Sequence, residues 1–272
     1  MSTSIHPTAI VSPDAELGDG VEVGPYAVIE KDVSVGSGTR LHSHVVVKRY
    51  TRIGSGCEIH TGVIIGDVPQ DRNFEPCRSW VVIGDGSILR ECVTIHRGTT
   101  EESCTRVGKN CFLMAFSHVA HDCVLGDNVI LANGALVAGH VQIGDGAFIS
   151  GNCLLHQFVR IGRLAMLGGG AGVSKDVPPF CLVAPLCVNR VAGLNMVGLR
   201  RAGVSVRSRI ALEHAFRRIF CSGRNLRSAA SEFVDRDDED ALVRELAAFV
   251  LESKRGVCRF AGAEEMVEKS GL

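Results

Sequence analysis

The strongest constraint on this chain is a period of six. Counting from Ile5 to Val173 in steps of six meets 29 positions, all aliphatic except Asp71, Cys77 and Glu101. Such a period matches neither the 3.6 of an amphipathic helix nor the alternation of an isolated strand, so it marks a solenoid whose coil is a multiple of six. Three hexapeptides make one triangular coil, with the periodic side chain pointing inward. Ten coils or slightly fewer fit between residues 5 and 178. Gly often follows the aliphatic residue, as at Gly18, Gly36, Gly84 and Gly126, which reads as a corner needing permissive dihedrals. Small residues recur four places after it, among them Cys57, Cys111, Cys123 and Cys153, so these cysteines read as packing groups rather than nucleophiles. The off-pattern stretches 67–82 and 98–106 read as loops ejected from the coil, and loops on a rigid scaffold commonly carry binding residues.

The period ends after Pro178-Pro179. Beyond it, Leu212, Phe216, Ile219 and Phe220, then Leu242, Leu246, Phe249 and Val250, have the spacing of apolar helix faces. The chain is therefore read as mainly β, with a parallel β-helix over 1–185 and a C-terminal α-helical domain over 186–272. An aromatic content of 5% with 31 Gly suits an aliphatic core with many tight corners. A formal charge of -1 gives no global attraction to nucleic acid or to an anionic membrane. Eleven Cys without C-x-x-C pairs fit neither a disulfide framework nor a structural zinc site, and point to a reducing cytoplasm. Neither a signal peptide nor a membrane span is evident, so no stable membrane insertion is expected. The acidic run from Asp235 to Asp240 reads as a solvated loop before the second helix.

Coil arithmetic gathers the chemistry. Residues three hexapeptides apart stack roughly 4.8 Å from one another. His121 then lies over Gly139 and Gly139 over Gln157, Asp122 lies over His140, and His118 and His156 are close by in sequence. Four histidines and a carboxylate thus share one edge of the prism. Imidazole, with an ordinary pKa of about 6.5, can accept a proton near neutrality. Asp122 can orient it, and the Gly139 N–H or a neighbouring one can face a developing oxyanion, a contribution of about 3 kcal/mol. No Ser or Cys sits in a nucleophile motif, which favours direct attack by an acceptor. The glycines at 168–170 and 172 lack the strand–loop–helix setting of a dinucleotide site, and no cofactor or metal is expected. Between residues 186 and 230, a segment read as helical, nine Arg face one acidic residue, Glu213, which suggests an anion site and a docking face for an acidic protein.

The aliphatic hexapeptide with Gly in second place resembles the hexapeptide-repeat transferases, whose β-helices are left-handed. The stretches Ile95-His96-Arg97-Gly98-Thr99, His118-Val119-Ala120-His121-Asp122-Cys123, Ala138-Gly139-His140, His156-Gln157-Phe158, and Gly193-Leu194-Asn195 followed by Gly198-Leu199-Arg200-Arg201 are more specific. Together they resemble the UDP-N-acetylglucosamine O-acyltransferases that open lipid A biosynthesis, from about residue 5 to at least residue 224. The resemblance implies transfer of an (R)-3-hydroxyacyl group from acyl carrier protein to the glucosamine 3-position of UDP-N-acetylglucosamine, in a homotrimer with sites between subunits. It casts His121 as general base, Asp122 as its support and the Gly139 amide as oxyanion donor. It assigns substrate contacts to Asp71, His118, His140, His156, Gln157, Asn195, Arg200 and Arg201, and an acyl-length limit to Gly169.

The chain departs from the family at Asn73, where Lys is common, and at Ala184-Pro185-Leu186-Cys187, which lacks the usual Gly-Asn. A 3-hydroxyl or a 3-amino sugar nucleotide therefore both remain open as acceptor. Other readings are a hexapeptide N-acyltransferase, a zinc-dependent β-helix carbonic anhydrase and a non-catalytic binder of the carrier protein.

Overall fold

In the computed structural model, residues 2–234 and 239–260 are described; residues 235–238 of the acidic run, and 261–272, lie outside them. The chain winds as a left-handed parallel β-helix with three faces. The first face runs from Ser4–Ile5 to Cys181–Val183, the second from Ile10–Val11 to Gly172–Val173, and the third from Glu16–Leu17 to Arg160–Ile161. Register follows the predicted coil, with Val23 beside Leu41 and Val119 beside Val137. The inward positions are fully buried at Ile59, Leu89, Ile95, Leu113, Leu131 and Ile149, as are Cys111, Cys123 and Cys153 to within 1% exposure.

Two register jumps locate the ejected loops. Ile59 pairs with Leu89 where a regular coil would pair it with Cys77, and Ile95 pairs with Val119 where a regular coil would pair it with Leu113. The first jump is an insertion of two hexapeptides and the second an insertion of one. The loops are shorter than the aliphatic pattern suggested. Strands Trp80–Ile83 and Cys104–Val107 pair along their whole length and take in residues read from sequence as loop. Ser79 and Thr105 are buried there, and polar residues at these inward places had hidden the strand starts.

The second-position glycines also need a different explanation. The left-handed conformation falls two residues later, at Gly20, Gly38 and Gly86 and at non-glycines such as Asp122, His140 and Phe158. Glycine is required after the aliphatic residue because the next coil lies against it: a Cβ at Gly84 would come 2.6 Å from the Gly108 carbonyl carbon.

The chain stays in sheet longer than the loss of period implied. Arg190–Leu194 pairs antiparallel with Cys181–Val183, burying Val191, so part of the segment read as helical is a strand. Helices follow at α1 (Met196–Arg201), α2 (Val206–Phe220), α3 (Leu226–Ser231) and α4 (Ala241–Glu252). Asn195, Ser205, Asn225 and Asp240 each accept from a first-turn N–H and so satisfy donors the helix leaves open. On α2 the buried face includes the predicted Leu212, Phe216, Ile219 and Phe220. On α4 it is Val243, Leu246, Ala247 and Val250, while Leu242 and Phe249 are only partly buried. Phe249 turns toward the β-helix instead, where the Arg160 guanidinium lies 4.5 Å from its ring. Arg163 to Glu245 (2.7 Å) and Arg160 to Glu252 (3.3 Å) complete that seam.

Candidate active site

At the corner between the second and third faces, the turns at 120–122, 138–140 and 156–158 stack coil upon coil. His140 and Phe158 hold matching left-handed conformations and their rings stack at 4.5 Å. His121 meets His140 edge-on at 5.1 Å. A cleft of about 320 Å³ opens here, lined by Gln70, His96, His118, His121, Leu136, Gly139 and Leu154 among others. The longer of the two inserted loops thus returns to the site through Gln70.

Within it, His121 Nδ1 lies 2.9 Å from Asp122 Oδ2. Burial pushes the Asp122 carboxyl up, but hydrogen bonds from His121, Thr99 and Ser103 and the charge of His140 together outweigh it and hold the group well below the usual carboxylate range. An ionised carboxylate only accepts, so in the neutral His121 imidazole the proton sits on Nδ1 and Nε2 is left as the acceptor. Thr99 Oγ1 donates to Asp122 Oδ2 at 2.6 Å, and the Asp122 N–H donates to Thr105 Oγ1 at 2.8 Å. His121 packs directly on Gly139, whose missing side chain makes the approach possible. Among the described residues nothing accepts from the Gly139 N–H.

His118 forms the floor. Its Nδ1 is 2.7 Å from Thr94 Oγ1, and its ring meets that of His96 edge-on at 4.9 Å. Burial, with smaller repulsion from His96 and His121, lowers the His118 pKa to about 4, and burial likewise lowers that of His96. Both are neutral imidazoles near pH 7. His140 lies just outside the cleft, its Nε2 3.8 Å from Asp122 Oδ2, in an adjoining hollow with Gln142, Arg160 and Arg255.

The remaining predicted residues are more scattered. His156 lines a separate hollow one coil up with Leu154, Gly172 and Val188, and Gln157 is exposed at the same corner. Gly169 occupies the opposite edge of the second face, where a Cβ would meet only the Gly151 carbonyl at 3.8 Å. Asp71 is exposed and accepts from the Asn73 N–H at 2.9 Å, shaping its own loop. Asn195 is buried, its side chain engaged by the Gly198 N–H and the Leu164 carbonyl, both at 2.9 Å. Arg200 and Arg201 are exposed at the end of α1. Sequence reasoning missed Gln70, Thr94 and Thr99 as site residues, because insertions break the regular coil offset between them and the histidines.

Among the described residues, two groups have side-chain donor atoms close enough to share a metal ion: His121, Asp122 and His140, and on the first face His42, Glu58 and His60. At the first, His121 and Thr99 already donate to Asp122 Oδ2, so an ion would compete with both.

A family model described as Udp N-acetylglucosamine O-acyltransferase, Domain 2, matches residues 176–258, and one for bacterial transferase hexapeptide repeats matches 14–49 and 104–139. The acyl-[acyl-carrier-protein]–UDP-N-acetylglucosamine O-acyltransferase of Alkalilimnicola ehrlichii is 49% identical over 260 residues, covering 94% of this chain and 100% of that protein. That of Aliarcobacter butzleri is 43% identical over 257 residues, covering 93% and 97%. Among solved structures, a UDP-N-acetylglucosamine acyltransferase from Campylobacter jejuni superposes with a TM-score of 0.89 at 36% identity, covering 95% of this chain and 100% of that one.

Proposed function

The chain belongs to the UDP-N-acetylglucosamine O-acyltransferases, and from that premise we propose how its own residues carry the transfer. The enzyme is an acyltransferase. The acyl group is a 3-hydroxyacyl chain delivered as a thioester on acyl carrier protein, and the acceptor is the glucosamine 3-hydroxyl of UDP-N-acetylglucosamine, the opening step of lipid A synthesis in the cytoplasm.

The observation that carries this reading is His121, with Nδ1 committed to an ionised Asp122 and Nε2 free to accept beside Gly139. Nε2 takes the proton as the acceptor oxygen attacks the thioester carbonyl. Asp122 balances the imidazolium, and the Gly139 N–H donates to the oxyanion. Collapse expels the carrier thiolate, which takes the proton back from His121 and leaves an ester and a thiol. Neutral His118 and His96 serve the sugar nucleotide as hydrogen-bonding groups, with His140, His156, Gln157 and Asp71 at the margins. The acyl chain lies along the outward Leu136, Leu154 and Gly172 of the second face, toward the edge that holds Gly169. These steps call on no cofactor or metal.

Arg200, Arg201 and Arg207 are exposed and without an ion pair among the described residues, which suits an acidic carrier protein. Asn195 supports the same region by capping α1. Among the described residues no helix is long and apolar enough to cross a membrane. A homotrimer is supported by the outward side of the first face, where Ile88, Phe112, Ile130, Phe148, Met166 and Leu182 form a partly exposed apolar stripe six coils tall.

The test is transfer of a labelled 3-hydroxyacyl chain from acyl carrier protein to UDP-N-acetylglucosamine and, separately, to its 3-amino analogue. Product with the hydroxyl acceptor is expected. Product with the amine alone would replace the acceptor assigned here.

A further inference from the structure

The shorter inserted loop, which leaves the coil after Ile95, folds back across Asp122. Thr99 meets that carboxylate twice, through Oγ1 to Oδ2 at 2.6 Å and through its N–H at 3.2 and 3.3 Å. Gly98 allows the approach, since a Cβ there would come 2.8 Å from Asp122 Oδ1 and would strike Ser103 Oγ. The loop is itself fastened: Ser79 Oγ donates to the Gly98 carbonyl at 2.6 Å, and the Trp80 N–H to the Ser103 carbonyl at 2.8 Å.

Asp122 has a choice of partners. His121 Nδ1 is 2.9 Å from Oδ2, and His140 Nε2 is 3.8 Å from the same oxygen. A carboxylate bonded only to His121 could rotate toward His140. His121 would then lose its acceptor and be free to carry its proton on Nε2, a tautomer that cannot take a proton from the substrate.

We propose that Thr99 is a positioning residue for acyl transfer, which pins the Asp122 carboxylate toward His121 and thereby keeps the His121 proton on Nδ1. The inference rests on His121 being the base, and it gives the shorter insertion a purpose in the reaction. Thr99 touches no reacting atom; it acts through Asp122.

The test compares Thr99→Val, which removes the hydroxyl at constant volume, with Thr99→Ser, which restores it, with Thr99→Ala as a second hydroxyl-free variant. Thr99→Val is expected to lower kcat on the order of ten- to a hundredfold, by analogy with the loss of outer-shell partners that orient metal-ligating histidines. KM for UDP-N-acetylglucosamine should change by less than about twofold. Thr99→Ser should recover most of the rate. Nitrogen NMR of His121 should show the Nδ1–H form in the parent and in Thr99→Ser, and an added Nε2–H population in Thr99→Val. A Thr99→Val enzyme with parental kcat and an unchanged His121 tautomer, in a protein that His121→Ala inactivates, would overturn the role of Thr99 alone. Parental turnover in His121→Ala would overturn the base assignment and this proposal with it.

Discussion

A methyl group added at Gly139 would press on the His121 imidazole, with Nε2 only 2.5 Å from the new carbon. The ring would have to tilt away from the cleft, so Gly139→Ala should lower kcat at least about tenfold, because general-base catalysis depends on reach. Circular dichroism should not change; a parental kcat would remove Gly139 from the mechanism. His118 supplies a prediction about pH. Its folded-state pKa of about 4 lies below the ordinary histidine value, so the unfolded chain binds the proton first as pH falls. The corresponding stability is full above about pH 6.5, declines toward pH 4, and amounts to roughly 2–4 kcal/mol. Asp122 acts in a different window: its pKa is depressed, so its contribution persists above about pH 4 and is lost only below. Melting curves between pH 7 and 4.5 should therefore fall less steeply for His118→Gln than for the parent. Equal slopes would show that His118 takes up its proton alike in both states.

At the scale of the element, the coil depends on close backbone approach where glycine follows the inward aliphatic residue. Gly84→Ala would force its Cβ against the Gly108 backbone and should destabilise the protein by about 1–3 kcal/mol, measured by urea unfolding. No loss would contradict the close-approach explanation. The aliphatic period made the faces, the coil length and the His121–Gly139 and Asp122–His140 contacts legible, because one inward residue per strand repeats wherever the coil is uninterrupted. It failed at the insertions. Thr99 and Asp122 lie far apart in sequence and share a corner only because the inserted hexapeptide that carries Thr99 folds back over the coil, which no fixed period discloses. The shifted face of α4 was hidden for another reason. That helix packs against both its fellow helices and Arg160 of the β-helix, so its apolar residues serve two surfaces and blur a single stripe.

For the whole molecule, the apolar stripe from Ile88 to Leu182 sits on the first face and the histidine cleft opens between the second and third. In a threefold-symmetric assembly the stripe of one copy would meet a different surface of the next. On the proposed trimer, Phe112→Glu combined with Phe148→Glu should shift the protein to monomer in light scattering and reduce transfer, while leaving the β-sheet circular dichroism intact. A trimer that survived both charges would move the interface elsewhere. The fold and the cleft support the proposal that His121, oriented by Asp122, is the base for acyl transfer. That role is read out by the kcat of the purified parent and of His121→Ala with 3-hydroxyacyl-carrier protein and UDP-N-acetylglucosamine. The expected outcome is a fall of roughly 10²–10⁴-fold with the circular dichroism of the folded β-helix retained; turnover near the parental rate would contradict it.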